Sequence, residues 1–198
     1  SGHRLNLGML GMHGARYTNK VLDECDFAFA IGARFDDRAT GRPDQFLRNA
    51  KIVHIDVDPS EINKNKAPHI PICSDVKFAI EELNRIVEAP EDIGPWVRQV
   101  QQWRREKPFK YDDRFEGILQ QHAIAELSRL TRERNAFITV GVGQHQMWSA
   151  QFYKLRRPRT WASSSGLGTM GFGLPAAMGV QAAHPDALVV DIDGDGSF

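Results

Sequence analysis

The sequence predicts an α/β protein, with parallel sheets flanked by helices in two incomplete modules. Three observations point there. Apolar runs of strand length, Phe27 to Ile31, Lys51 to Val57, Ala136 to Val140 and Leu188 to Ile192, alternate with stretches of helical period. The last run has the β-branched composition of a buried strand and closes in an acidic, glycine-flanked turn. Two prolines and a glycine in Ala89-Pro90-Glu91-Asp92-Ile93-Gly94-Pro95 divide the chain.

The first module covers residues 1–90. Thr18 to Asp26 reads as a short helix, and Phe27 to Ile31 as a strand ended by Gly32. Lys51 to Val57 is a second strand that ends in acidic residues, after which Pro59 and Ser60 begin a helical turn. Ile70 to Cys73 is a short third strand. Asp75 N-caps a helix to about Glu88, with Val76, Ala79, Ile80, Leu83 and Val87 at helical spacing. Residues 91–116 form a linker that carries a charged, exposed helix from Trp96 to Lys107. The second module, 117–198, begins with a helix through Ile118, Ala125, Leu127 and Leu130. The strand Ala136 to Val140, a helix from Gln144 to Phe152, a small-residue helix from Gly171 to Ala183 and the strand Leu188 to Ile192 follow. About three strands and about two strands are few for parallel sheets, which are covered on both faces. The expectation is a segment of a longer enzyme, with core surface left open.

Composition narrows the function. At 41% hydrophobic and 25% charged residues the chain has a globular make-up. Lys+Arg 25 balances Asp+Glu 25, so no global charge favours nucleic acid or a membrane surface, and neither is an expected partner. The pairs Arg104-Arg105 and Arg156-Arg157 read as solvated faces. No apolar run approaches the roughly 20 residues of a membrane span. Cys25 and Cys73 fit neither CxxC nor a disulfide framework and read as buried free thiols in a reducing compartment. The histidines lack HExxH spacing, so zinc is not expected.

Six stretches carry chemistry. Leu10-Gly11-Met12-His13-Gly14 suits close packing of backbone on a flat ligand, or a plain loop with a buried methionine. Gly32-Ala33-Arg34-Phe35-Asp36-Asp37-Arg38 follows a strand, where α/β ligand loops lie; its arginines suit phosphates, or an Arg–Asp salt-bridge loop. His54-Ile55-Asp56-Val57-Asp58 places an acid at a strand end, for a ribose hydroxyl or as a helix cap. There is no GxGxxG. Gly141-Val142-Gly143-Gln144-His145 opens a helix whose free N–H groups suit an anion. Ser163 to Gly173 carries four glycines in eight positions, for a cofactor or for helix packing. In Gly194-Asp195-Gly196-Ser197 the glycines allow a sharp turn and close approach, and Asp195 is a hard oxygen ligand suited to Mg²⁺.

Together these motifs resemble the thiamin-diphosphate enzymes, and among them the acetohydroxyacid synthase (acetolactate synthase) catalytic-subunit family. The match is carried by LGMLGMHG at 7–14, GARFDDRATG at 32–41, KIVHIDVDPSEI at 51–62, VGQHQMW at 142–148, SGLGTMGFGLPAA at 165–177 and DGDGSF at 193–198. It is weakest over about 89–116. A departure is Ser165, where many members have glycine.

The resemblance implies the later part of a central FAD domain and the start of a diphosphate-binding domain. It implies FAD contacts at Gly11, Met12, His13, Gly32, Ala33, Arg34, Asp36, Arg38, Asp56, Val57, Asp75 and Val76, with Met147 and Gly166 from the second module. It implies thiamin diphosphate contacts at Val142, Gly143, Gln144, His145, Gly168, Met170, Gly196 and Ser197, and Mg²⁺ at Asp195. Met12, Asp37 and Arg38 match positions lining the family's substrate channel. The family's second metal ligand, an Asn about thirty residues further on, and its catalytic glutamate fall outside these residues, so no catalytic residue is expected here and the segment alone should be inactive. The implied reaction condenses two pyruvates, or pyruvate and 2-oxobutyrate, with loss of CO₂, in branched-chain amino-acid synthesis. A homodimer or tetramer is implied, with a possible regulatory small subunit. The compartment would be cytoplasm in a prokaryote, plastid or mitochondrion in a eukaryote. The alternatives are a related carboligase or decarboxylase, or a non-catalytic FAD-binding module.

Overall fold

A computed structural model describes residues 3–88, 92–112, 114 and 116–198. The chain forms two compact units, Leu10–Pro108 and Phe109–Phe198, with the N-terminal residues to Met9 grouped with the latter. Each is built on a three-stranded parallel sheet.

In the first unit a 3-10 turn at Gly11–His13 and helix α1 (Arg16–Glu24) lead into β1 (Phe27–Ile31). The short helix α2 (Asp37–Thr40), β2 (Lys51–Asp56), β3 (Ile70–Cys73), α3 (Val76–Ile86) and α4 (Gly94–Glu106) follow. The strand order is β1-β2-β3, with β2 central and every residue from Ile52 to Asp56 buried. Side chains alternate across the pleat, so β2 feeds two cores. Ile52 joins Ala30, Phe35, Leu47 and Ala50 on one face, while Val53 and Ile55 lie with Ala79 of α3 on the other. Asp75 caps α3 as the sequence indicates, accepting from Phe78 N at 3.1 Å. The outward row of the edge strand, Phe27, Phe29 and Ile31, stays open at 49, 45 and 43% exposure.

Helix α4 differs from its expected place in an exposed linker. It is part of the first unit, with Val100 buried, Lys20 of α1 4.6 Å over the Trp103 ring and Arg104 5.9 Å over Tyr17. The reason is amphipathicity: Val97, Val100 and Trp103 recur every third residue beneath a charged outer face. The break expected at Ala89–Glu91 lies outside the described residues. Pro59 and Ser60 begin a run of turns that continues to Asn63. The thiols are free, but not buried as expected. Cys25 is half-buried, with burial pushing its thiol up, and Cys73 is exposed because it closes the edge strand β3.

The second unit runs α5 (Gln120–Leu130), β4 (Ala136–Val140), α6 (Gln144–Phe152), β5 (Trp161–Ser163), α7 (Gly173–Ala183) and β6 (Leu188–Ile192). The order is β5-β4-β6, and Ile138, Thr139 and Val140 of the central strand are fully buried. β5 escapes the sequence reading because it is three residues long and ends among serines. Among the described residues no helix is long and apolar enough to cross a membrane.

Because Ile55 is fully buried in the central strand, Ile55→Ala should cost about 2–5 kcal/mol and Ile55→Val about 1 kcal/mol. Phe29→Ala, at a half-open site, should cost less than Ile55→Ala. Denaturant unfolding curves of the three variants check the ranking.

Candidate functional site

The strand order of the second unit dictates where a ligand can enter. From β4 the chain passes through α6 to β5 on one side, then through α7 to β6 on the other side of β4. The strand order reverses at β4, and such a switch point leaves room for a ligand at the carboxyl ends of the strands. The loops after β4 and β6 meet there. Gly141 N donates to Ile192 O at 3.2 Å. Ser197 Oγ accepts from Val142 N at 3.4 Å and from Gly171 N at 3.0 Å. One buried hydroxyl thus ties three motif loops together, and among the described residues no acceptor is shown for its own O–H.

Glycine is required by clearance. A Cβ on Gly141 would stand 1.7 Å from Asp193 Oδ1 and 2.4 Å from Ser197 Oγ. A Cβ on Gly173 would stand 2.6 Å from Asp191 Oδ1 and 2.9 Å from Asp193 Oδ2. The Asp193 carboxylate is 6% exposed and lies 3.4 Å from His145 Nε2. Thr139 Oγ1 donates to Asp191 Oδ1 at 2.7 Å. Burial pushes the Asp191 carboxyl up; the Thr139 bond opposes this, and the nearby Asp193 carboxylate adds to it. Sequence alone assigns no role to Asp191, inside the apolar run of β6, or to Asp193, the first residue of DGDGSF.

Gly194 and Gly196 flank Asp195 in the expected turn, where Ser197 N and Phe198 N donate to Gly194 O at 2.9 and 3.0 Å, and neither glycine is left-handed. A Cβ on Gly194 would meet His145 Nδ1 at 2.9 Å, and one on Gly196 would meet Met170 Cε at 3.0 Å. Gly168 and Gly171, in the loop before α7, are left-handed, at φ 69° and 81°. Gly143 is the N-cap of α6, with Gln144 and His145 its first two residues; Val142 and Met147 are half-buried. Gly166 and Met170 are exposed between β5 and α7, and Asp195 is exposed in the final turn. Among the described residues no three His, Cys, Asp or Glu side chains cluster as a metal cage. Asp195 instead fits a Mg²⁺ held by one or two carboxylates together with phosphate oxygens and water.

In the first unit Gly11, Met12, Asp37 and Arg38 line one cleft of about 390 Å³. The 3-10 turn lies directly on α2, since a Cβ on Gly11 (φ 70°) would stand 2.3 Å from Arg38 O. Asn19 of α1 holds that turn from behind: Gly11 N donates to its Oδ1 at 2.7 Å, and its Nδ2 donates to Gly11 O at 3.0 Å. Asn19 was not singled out in sequence, where nothing but its distance of eight residues linked it to Gly11. His13 is half-buried in the same 3-10 turn.

Gly32, Val57, Asp75 and Val76 follow the carboxyl ends of the three strands. Gly32 is left-handed at φ 58° with open space at its Cβ, and Val57 is 69% exposed, as a backbone-lined ligand edge requires. Ala33 is half-buried beside the core. Of the two readings of the arginine loop, Arg34 forms the ion pair, 3.2 Å to Asp36, while Asp36 caps α2 through Ala39 N at 3.1 Å. Asp56 is turned inward, accepting from Asp58 N at 2.9 Å with its other oxygen 3.9 Å from His54 Nε2, so its carboxylate serves the turn.

Residues 1–83 match the thiamine pyrophosphate enzyme central domain, and residues 141–198 match the thiamine pyrophosphate enzyme C-terminal TPP binding domain. The chain belongs to the thiamine pyrophosphate enzyme family. Within it, its relatives are acetolactate synthases. It is 53% identical to acetolactate synthase 3, chloroplastic, of Brassica napus over 98% of this chain and 30% of that protein. It is 52% identical to acetolactate synthase 1, chloroplastic, of Zea mays, over 98% and 31%. It is 51% identical to acetolactate synthase, chloroplastic, of Arabidopsis thaliana, over 98% and 30%. The chain therefore spans about 30% of the length of these relatives.

Gly141→Ala should destabilise the second unit by about 1–3 kcal/mol, as overpacking does, read as a lower denaturant midpoint. Asp191 predicts a pH effect. Its raised pKa means the fold keeps a proton that the unfolded chain releases above about pH 3.8. Stability from this group is therefore full below that pH and is lost as pH rises through the folded pKa. Asp191→Asn keeps the acceptor for Thr139 and should flatten that slope in a thermal-melt pH series.

Proposed function

We propose that the chain is the FAD-domain and diphosphate-domain segment of an acetolactate synthase. The enzyme would join two pyruvates, or pyruvate and 2-oxobutyrate, into an acetohydroxyacid with release of one CO₂. The observation that carries this reading is the crevice at the switch point. Loops from three motifs converge on Ser197, with His145 beside them and Asp195 exposed at the rim. Identity of 53 and 52% to acetolactate synthases over 98% of the chain supports it.

Thiamin diphosphate, when bound, would supply a thiazolium carbon that takes up the electron pair left by decarboxylation. The chain's own residues would do the holding. Val142, Gly143, Gln144 and His145 would offer the start of α6 to the diphosphate, where free N–H groups and the helix dipole favour an anion. Gly196 and the remaining O–H of Ser197 would take further oxygens, and Asp195 would hold Mg²⁺. Gly168 and Met170 would border the same ligand. In the first unit Gly11, Met12, His13, Gly32, Ala33, Arg34, Asp36, Arg38, Asp56, Val57, Asp75 and Val76 would form the FAD edge. Two of these fit mainly through backbone, because the Asp36 and Asp56 carboxylates are already engaged. Met12, Asp37 and Arg38 would line the substrate approach, which their shared cleft supports.

The division proposed is 1–90 for the later central domain, 91–116 for a connection whose helix α4 packs on the first unit, and 117–198 for the start of the diphosphate domain. A homodimer or tetramer with a regulatory subunit, and a compartment that follows the source organism, complete the reading. The test is acetolactate formation from pyruvate by the full-length protein supplied with thiamin diphosphate, Mg²⁺ and FAD. Activity is expected from the full-length protein, abolished by Asp195→Ala, and absent from the isolated segment. A full-length protein that binds the cofactors but forms no acetohydroxyacid would overturn the assignment.

A further inference from the structure

We propose that Asp193 is a positioning residue for His145, holding the imidazole so that its Nδ1 edge faces the crevice between the loops after β4 and β6. The inference rests on the thiamin diphosphate reading of that crevice and adds a residue that reading does not use.

The pair is buried and incompletely bonded. Asp193 Oδ1 stands 3.4 Å from His145 Nε2, the two side chains being 6% and 15% exposed. Neither His145 Nε2 nor Asp193 Oδ2 has a hydrogen-bond partner among the described residues. Buried polar atoms left this way are costly and call for a reason. Hydrogen bonds at functional sites are often long in the free protein and tighten when the ligand engages.

The backbone is shaped around this pair. Gly141 and Gly173 clear the carboxylate, as their absent Cβ atoms would stand 1.7 Å from Asp193 Oδ1 and 2.9 Å from Oδ2. Gly143 and Gly194 clear the ring, as theirs would stand 3.0 and 2.9 Å from His145 Nδ1. Four glycines from three loops thus make room for one carboxylate and one imidazole. They also orient the ring. Nε2 is turned inward to Asp193, and Nδ1 is turned to Gly143 and Gly194, the two residues that border the crevice. Which ring nitrogen meets a ligand is set by the bond the other makes.

The test is a double-mutant cycle in the full-length enzyme, read as the thiamin diphosphate dissociation constant in Mg²⁺ from quenching of intrinsic tryptophan fluorescence. Asp193→Ala should weaken cofactor binding by about 10–100-fold, the usual cost of losing the partner that orients a ligating histidine. The KM for pyruvate should not change. Asp193→Asn, which keeps an acceptor at Oδ1, should recover most of the affinity. In a His145→Ala background Asp193→Ala should cost no more than about twofold, the scatter of independent sites. Equal losses in both backgrounds would show that Asp193 acts through the fold alone and overturn the inference, as would an Asp193→Ala enzyme with unchanged affinity. Should Asp193→Ala not fold, Asp193→Ser, too short to reach Nε2, takes its place in the cycle. Failure of the unmutated enzyme to bind thiamin diphosphate overturns the cofactor reading instead.

Discussion

The second unit depends on how closely the chain leaves β4 and β6. Their register pairs Val140 with Ile192, so the next residues, Gly141 and Asp193, emerge side by side. Only a residue without a Cβ lets the two exits pass, because the Asp193 carboxylate occupies that space. Once Gly141 yields, Ser197 can reach back to Val142 N and Gly171 N, and the loops after all three strands are fixed to one oxygen. The start of α6 is thereby set over the end of β6. The crevice is a consequence of parallel pairing with one strand crossed over, and the glycines keep it from being filled.

The first unit solves a similar problem with different residues. Its 3-10 turn rests on the backbone of α2, and Gly11 is the point of closest approach. Asn19 secures that contact with two hydrogen bonds to a single residue, one to its N–H and one to its carbonyl. The cleft that holds Met12, Asp37 and Arg38 owes its shape to this clamp from α1. Neither Met12 nor Arg38 is constrained by it directly, and both keep exposed side chains on fixed backbone. That suits residues meant to meet something mobile.

Much of the fold was legible because its strongest elements are short apolar runs with clean edges. Phe27–Ile31, Ile70–Cys73, Ala136–Val140, Gln144–Phe152 and Leu188–Ile192 stand where composition puts them. What stayed hidden was set by tertiary context. β5 is a strand only because β4 pairs with it from Ile138 to Val140. The packed face of α4 was masked by its arginines, which extend outward from a row of Val97, Val100 and Trp103. For the site, glycine-rich motifs marked the right loops, but the reason for each glycine was visible only in space. Gly194 and Gly196 serve the expected turn and also leave clearance for His145 and Met170. Asp193 and Asn19 were invisible because their partners, His145 and Gly11, lie 48 and eight residues away.

Charge imposes a final condition on the proposed site. Asp191, Asp193 and Asp195 alternate at the end of β6, where an anionic diphosphate is expected. Three free carboxylates there would repel it. The structure distributes them into three different environments. Asp191 is buried against Thr139 and pushed toward its neutral form. Asp193 is buried opposite the His145 ring, 3.4 Å from its Nε2. Asp195 alone is exposed, free to meet a cation that also draws phosphate oxygens. Alternation along an extended chain sends successive side chains to opposite faces but leaves Asp191 and Asp193 on the same one. It is the glycine-cleared space at Gly141 and Gly173 that admits both, and the Thr139 hydroxyl and His145 ring that tell them apart.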